Sequence, residues 1–257
     1  MASMRAIARL ATAIGLTAFA GYIVYLVVLA AEAQNISDGF DTIKRNAWAL
    51  SALVDYVASV PLCATWAALR ICGSARPWLA VAFGLSCLLL GNPVVLVIAA
   101  GALVFTSAGL LVRDSTSLIT RRVQAQPLHV MAFLLATGVV LVGFTCATFA
   151  AIVSEPFSDG IDYVKAHPWA LASFVDSFGG VLFAMAYVLV REWGSWALIA
   201  AFWAGLLLGG NGVSCLYVLL IGWNAVSVAD LVLSGPSLTD KYWAGSSRGF
   251  VRQEDEI

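Results

Sequence analysis

Asp55 and Asp176 are the two residues of this chain best placed to do chemistry, because each sits in an apolar stretch seven residues after a tryptophan, Trp48 and Trp169. If the two helices begin near Ala47 and Pro168, each carboxyl group lies about 12 Å along its helix. A carboxylate at that depth in hydrocarbon costs on the order of 2.5–3.5 kcal/mol, so it needs a partner or a proton. Two chemistries meet that need. One is a proton or cation site at an interface between helices. The other is a buried polar clamp, in which each aspartate accepts hydrogen bonds from an indole N–H or from the amides of Asn92 and Asn211.

Asn92 and Asn211 each follow a glycine midway along an apolar run. Inside one continuous helix such an amide can bridge to a neighbour for about 0.6–2 kcal/mol; at a hairpin it is a turn residue. A second polar set lies in two SDGxDxxK loops, Asp38, Asp41 and Lys44 in one and Asp159, Asp162 and Lys165 in the other. Two carboxylates around a glycine are too few for a calcium loop, which needs ligands at several more alternate positions and a distal bidentate glutamate. Asp38 and Asp159 are expected to be N-caps, with Asp41 and Asp162 at the third position of a short interfacial helix. Lys44 and Lys165 would hold its other end near the headgroups, with Trp48 and Trp169 as interfacial belt residues. Glu32 and Glu155 are expected to be interfacial charges, Asp230 a membrane boundary, and the five cysteines small apolar packing residues. Asn35-Ile36-Ser37 is a formal glycosylation sequon, with meaning only in an extracytoplasmic loop.

The elements carrying these residues come in two copies. Ser37 to Asp55 returns 121 residues later as Ser158 to Asp176, with ten of 19 positions identical, the mark of a tandem duplication. The chain is 61% hydrophobic and 11% charged, with a mean hydropathy of +0.91, against about 25% charged residues in a soluble domain. It therefore reads as a polytopic membrane protein. A net charge of −1 without a dense basic block gives no footprint for nucleic acid. With two histidines and no HExxH, GxSxG, GxxxxGK or aspartate-rich prenyl-diphosphate motif, no residue is assigned a catalytic or metal-binding role and no cofactor is expected. The N-terminal apolar run exceeds a usual signal core and has a mid-chain counterpart at 130–153, so it is expected to be a span.

Each copy offers a first span (about 7–31 and 129–153), a polar loop, a second span (about 47–70 and 168–190) and a third apolar stretch (about 77–112 and 195–233). The third stretch is ambiguous. As one helix, 36 residues would run about 54 Å, well beyond a bilayer core of about 30 Å. Splitting it at Gly91-Asn92-Pro93 and Gly210-Asn211-Gly212 gives eight spans, four plus four. Eleven of the 14 Lys and Arg then share one side, leaving Lys44, Arg45 and Lys165 opposite, as the positive-inside rule favours. Yet the runs before the glycines are only 13 residues each, below the roughly 17 needed to cross. A single helix kinked at Pro93 is the alternative.

The sequence of Trp48 with Asp55, a basic turn, Pro77-Trp78, an apolar run and Gly91-Asn92 resembles a family of small three-span membrane proteins without an assigned activity. The second copy matches through Trp169, Asp176, Trp196, Gly210-Asn211 and Tyr217, but lacks the proline before its tryptophan. In that family the Gly-Asn pair sits within one helix, and the resemblance implies three spans per copy. The expected fold is thus all-α: two membrane repeats, 1–122 and 123–234, of three transmembrane helices each, followed by a polar tail, 235–257. An odd number of spans makes the copies antiparallel, as in inverted-repeat transporters; four would make them parallel. The expected function is a non-enzymatic membrane component in the lipid bilayer that associates with itself or with other membrane subunits. A small proton-coupled carrier and a membrane-embedded lipid or isoprenoid enzyme, both using Asp55 and Asp176, are the alternatives.

Overall fold

A computed structural model describes residues 2–72, 91–105, 110, 127–223, 225 and 227–234. Trp78, Cys87, most of the third stretch of the first copy and the tail lie outside the described residues. The described part is helical: α1 Ala2–Ala33, α2 Ile36–Lys44, α3 Ala47–Ser59, α4 Cys63–Cys72, α5 Asn92–Phe105, α6 Leu128–Ser154, α7 Phe157–Ala166, α8 Pro168–Arg191, α9 Trp196–Gly222 and a π-helical turn Asp230–Ser234. Five stretches are long and apolar enough to cross a membrane: Arg9–Ala33, Ala47–Ile71, Leu128–Ser154, Pro168–Arg191 and Trp196–Gly222.

The second spans form the centre. Of the most apolar window of each, 61% is buried for Ala47–Ile71 and 56% for α8, against 11% for α6, which lies at the edge. Pro61 lacks the N–H a continuing helix would use, and α3 gives way to α4 through a turn at Val60–Leu62. Leu182 replaces that proline in the second copy, and α8 runs unbroken for 24 residues.

The fifth stretch is long only in sequence. Gly210 has φ 56° and ψ −152°, outside any helical conformation, and the chain folds back there. Phe202 and Tyr217, which a straight helix would hold about 22 Å apart, meet with ring centroids at 4.8 Å. A Cβ at Gly205 would lie 3.2 Å from Val213 Cγ1, and one at Gly209 3.0 Å from Val213 Cγ2, so these two small residues admit the second arm. The arms, 196–209 and 211–222, measure about 21 and 18 Å, each short of a bilayer core. α9 is therefore a helical hairpin, which corrects the expectation of one long third helix. Gly91 has φ +82° in the first copy, and α5 starts immediately after it. Pro93 is the second residue of α5 and does not make the break; the second copy breaks without a proline.

Both SDGxDxxK loops lie at the same end of the molecule. The side chain of Trp169 fills the space a Cβ at Gly39 would need, and Trp48 does the same at Gly160. The Trp169 indole donates to the Gln34 carbonyl (2.9 Å) and the Trp48 indole to the Glu155 carbonyl (3.2 Å). Both ends of the α9 hairpin lie at the opposite end: Trp196 follows directly on α8, and Gly222 packs against Leu134 in the first turns of α6. The two loop-bearing units therefore run in the same direction along the molecule. The antiparallel arrangement expected from three spans per copy is overturned, because a hairpin that returns its chain to the starting face adds no crossing.

Candidate functional site

The positive-φ glycines Gly91 and Gly210 each stand before a helix N-terminus inside the molecule, and those termini need acceptors. Glycine, the residue that tolerates the left-handed φ, has no side chain with which to cap. The second spans supply the missing oxygens, each to the other copy. The Asn92 N–H that opens α5 donates to Asp176 Oδ1 at 2.9 Å; the Asn211 N–H that opens the second arm of α9 donates to Asp55 Oδ1 at 2.6 Å. Each carboxylate thus caps a half-helix of the opposite copy, where the helix dipole adds to the hydrogen bond. A side chain at either glycine would displace its aspartate: a Cβ at Gly91 would lie 2.5 Å from Asp176 Oδ2, and one at Gly210 2.5 Å from Asp55 Oδ1.

The asparagine side chains tighten the same joints. Asn92 is 3% exposed and Asn211 is fully buried. The Asn211 amide donates to Asp55 Oδ2 (3.2 Å) and to the Ser177 carbonyl (2.8 Å). The Asn92 amide turns the other way, donating to the Asp176 main-chain carbonyl (2.9 Å) while its Oδ1 accepts from Ser59 Oγ (3.1 Å). Ser59 and Gly180 are counterparts in the duplication and meet on the axis, where a Cβ at Gly180 would lie 2.5 Å from Ser59 Cβ. The structure thus brings together Asp55, Asp176, Asn92 and Asn211. It adds residues the sequence did not single out, Ser59, Gly180 and Ser177, while the thiols of Cys63 and Cys215, expected as apolar packing residues, are buried and donate to the Gly180 and Ala58 carbonyls. No sequence signal marks the first pair, because after the two aspartates the copies diverge, YVASVPL at 56–62 against SFGGVLF at 177–183.

The loop set lies away from this joint. Asp38 and Asp159 are not N-caps: α2 is capped by Asn35, whose Oδ1 accepts the Asp38 N–H at 2.9 Å, and α7 starts after Pro156. Asn35 caps as well as aspartate does, and with it the helix starts three residues earlier than expected. Asp41 and Asp162 pair with Lys44 (3.5 Å) and Lys165 (3.7 Å), all four side chains more than half exposed. Trp48 and Trp169 are inter-copy wedges, not outward belt residues. Glu32 is exposed, whereas Glu155 accepts from Asn46 Nδ2 at 2.6 Å and so joins the seal. Asp230 sits in the π-helical turn, its N–H on Ser227 Oγ. Cys146 is exposed on α6.

One further buried polar group ties the hairpin to α8. Tyr217 donates to Glu192 Oε1 (2.7 Å), and Arg191 donates to Tyr187 Oη and to the Leu231 carbonyl (2.7 Å). Tyr187 Oη donates in turn to the Val232 carbonyl (2.7 Å), as Trp66 Nε1 donates to the Leu110 carbonyl (2.8 Å) in the first copy. Among the described residues no group of three His, Cys, Asp or Glu could hold a metal ion. No family profile, curated protein or solved structure matches the chain.

Proposed function

We propose that the chain is a non-enzymatic, multi-pass membrane component: two parallel units, the second of which carries a helical hairpin, locked into a single body by reciprocal caps. The observation that carries this reading is the use of both intramembrane aspartates as acceptors for backbone N–H groups of the opposite copy. Closure of the axis by Ser59 against Gly180 supports it, since a pathway shared by the two copies would run there. So does the outer face of α6, where Leu135, Val139, Val142, Phe149 and Ile152 are all exposed, as suits a helix facing lipid or another membrane subunit. In this arrangement the SDG face carries Lys44, Arg45 and Lys165, while Arg9, Arg70 and Arg191 lie toward the other face. By the positive-inside rule the SDG loops are extracytoplasmic. The resemblance to small three-span proteins fits a duplicated unit, with the third element redrawn as a hairpin.

Replacing Asp55 by Asn in the full-length protein in lipid nanodiscs tests the reading. A lowered unfolding temperature is expected, from loss of a charge-assisted bond worth about 1.5–3 kcal/mol. An unchanged melting curve would remove the structural role on which the reading stands.

A further inference from the structure

Trp48 and Trp169 are turned inward, onto Gly160 and Gly39, which leaves the boundary between lipid and water at the SDG end to other side chains. The short helices α2 and α7 carry them. With about 100° between successive residues, α2 has three sectors. Gly39, Thr42 and Ile43 are buried against the bundle, and Ser37, Asp38 and Asp41 are exposed on the far side. Ile36 and Phe40, one turn apart, lie on the flank between them, 71% and 46% exposed. The same pattern returns in α7, 121 residues on: Gly160 and Val164 are buried, Ser158, Asp159 and Asp162 are exposed, and Phe157 (58% exposed) shares the flank with Ile161. Thr42 and Tyr163, counterparts in the duplication, meet between the copies, where the Tyr163 hydroxyl donates to the Thr42 carbonyl at 2.9 Å. Both stand on the opposite edge of the buried sector, so the two apolar flanks point outward, away from the other copy.

We propose, on the multi-pass membrane reading above, that α2 and α7 lie in the surface of one leaflet, with Ile36–Phe40 and Phe157–Ile161 inserted among the upper acyl chains. Lipid suits these flanks better than a protein does. Position 36 is isoleucine where 157 is phenylalanine, and 40 is phenylalanine where 161 is isoleucine. That exchange keeps apolar bulk but not shape, which acyl chains accept and a close-packed protein contact does not. The flanks also continue the exposed apolar faces of the spans that lead into them, Val28 and Leu29 in α1 and Ile152 and Val153 in α6. Lys44 and Lys165 follow one turn later, on the edge between the apolar flank and the acidic face, where an ammonium group reaches the headgroups while its stem stays apolar. Lys44 Nζ lies 4.5 Å from the Phe40 ring centroid. An apolar flank, a cationic edge and a polar outer face together hold a helix in the plane of a membrane surface.

Spin labels on single cysteines, in a cysteine-free background in nanodiscs, test this by setting relaxation by oxygen, which concentrates in lipid, against relaxation by a water-soluble nickel chelate. Labels in Phe40→Cys and Ile161→Cys are expected to favour oxygen several-fold more than labels in Asp41→Cys and Asp162→Cys, one residue further round each helix. Val139→Cys and Val142→Cys on the outer face of α6 give the lipid reference, and a melting transition like that of the cysteine-free parent selects folded samples. Nickel preference at either flank position overturns the proposal, and so does low access to both reagents, because protein and not lipid would then cover the flank. Either result with the α6 labels still in lipid leaves the membrane-component reading standing; nickel preference on α6 removes both. An apolar diazirine dissolved in the bilayer, whose carbene inserts into C–H bonds on illumination, reads the same surface in the unaltered protein. Adducts are expected within 36–40 and 157–161; their absence there, with adducts on α6, overturns the proposal.

Discussion

The first-copy aspartate and the second-copy aspartate perform the same task with different security. Asp55 takes the Asn211 backbone N–H at 2.6 Å and its side-chain amide at 3.2 Å; Asp176 takes the Asn92 backbone N–H at 2.9 Å, with the Asn92 amide turned mainly onto the Asp176 main-chain carbonyl. The residues that follow the two aspartates differ, Ser59 against Gly180 among them, and so the two joints are unequal. A symmetric pair of identical units could not do this, because two serines on the axis would collide and two glycines would leave both asparagines alike.

The largest effects should come from the glycines beneath the caps. Gly210→Ala forces a side chain into a backbone conformation reserved for glycine and against Asp55. It should cost upwards of about 3 kcal/mol, seen as a collapsed melting transition or failure to purify as a folded monodisperse species. Gly91→Ala should be severe for the same reason. If either were neutral, the hairpin geometry would be wrong.

The aspartates come next and rank the two joints. Asp55→Asn should destabilise by about 2 kcal/mol, because the new amide opposes the Asn211 amide as well as losing charge. Asp176→Asn should cost less, about 1 kcal/mol, since its bond from the Asn92 N–H is longer (2.9 Å) than that from Asn211 to Asp55 (2.6 Å). Thermal scans showing the reverse order would break the comparison.

The axis pair sharpens it further. Gly180→Ser alone should destabilise by about 1–3 kcal/mol through overpacking against Ser59. Adding Ser59→Gly should recover most of that loss and transfer the hydroxyl from Asn92 to Asn211, whose buried Oδ1 lacks a partner. A double variant no better than the single one would mean that the two positions do not share one space. At the small end, Lys44→Ala and Lys165→Ala should change stability by less than about 0.5 kcal/mol, their ion pairs being solvent-exposed.

The polar residues of the joint were legible because duplication repeats them in apolar surroundings, where any aspartate or asparagine stands out. Their connection was not legible. The Gly-Asn step reads equally as a kink or a turn, and a hairpin buried in an apolar bundle has the composition of a span, since both arms lie in the same phase. The one-sided distribution of lysine and arginine pointed toward a fold-back; the shortness of the 13-residue runs, taken as too short to cross, and the resemblance to three-span proteins pointed away from it. Contacts between copies, such as Trp169 on Gly39 and Trp48 on Gly160, depend on how the copies pair. No local pattern encodes that, so two tryptophans with the spacing of a membrane belt proved to be inter-copy wedges.

The parallel arrangement underlies every one of these contacts, and sidedness of the two loops tests it most directly. Gly39 and Gly160 are packed beneath indoles and unsuitable for a probe, whereas Asp41 and Asp162 are exposed. Single cysteines at those two positions, in a cysteine-free background in sealed vesicles, can be labelled with an impermeant thiol reagent. Labelling of both from the same side is the predicted result. Labelling from opposite sides would contradict the reciprocal caps and restore an inverted repeat.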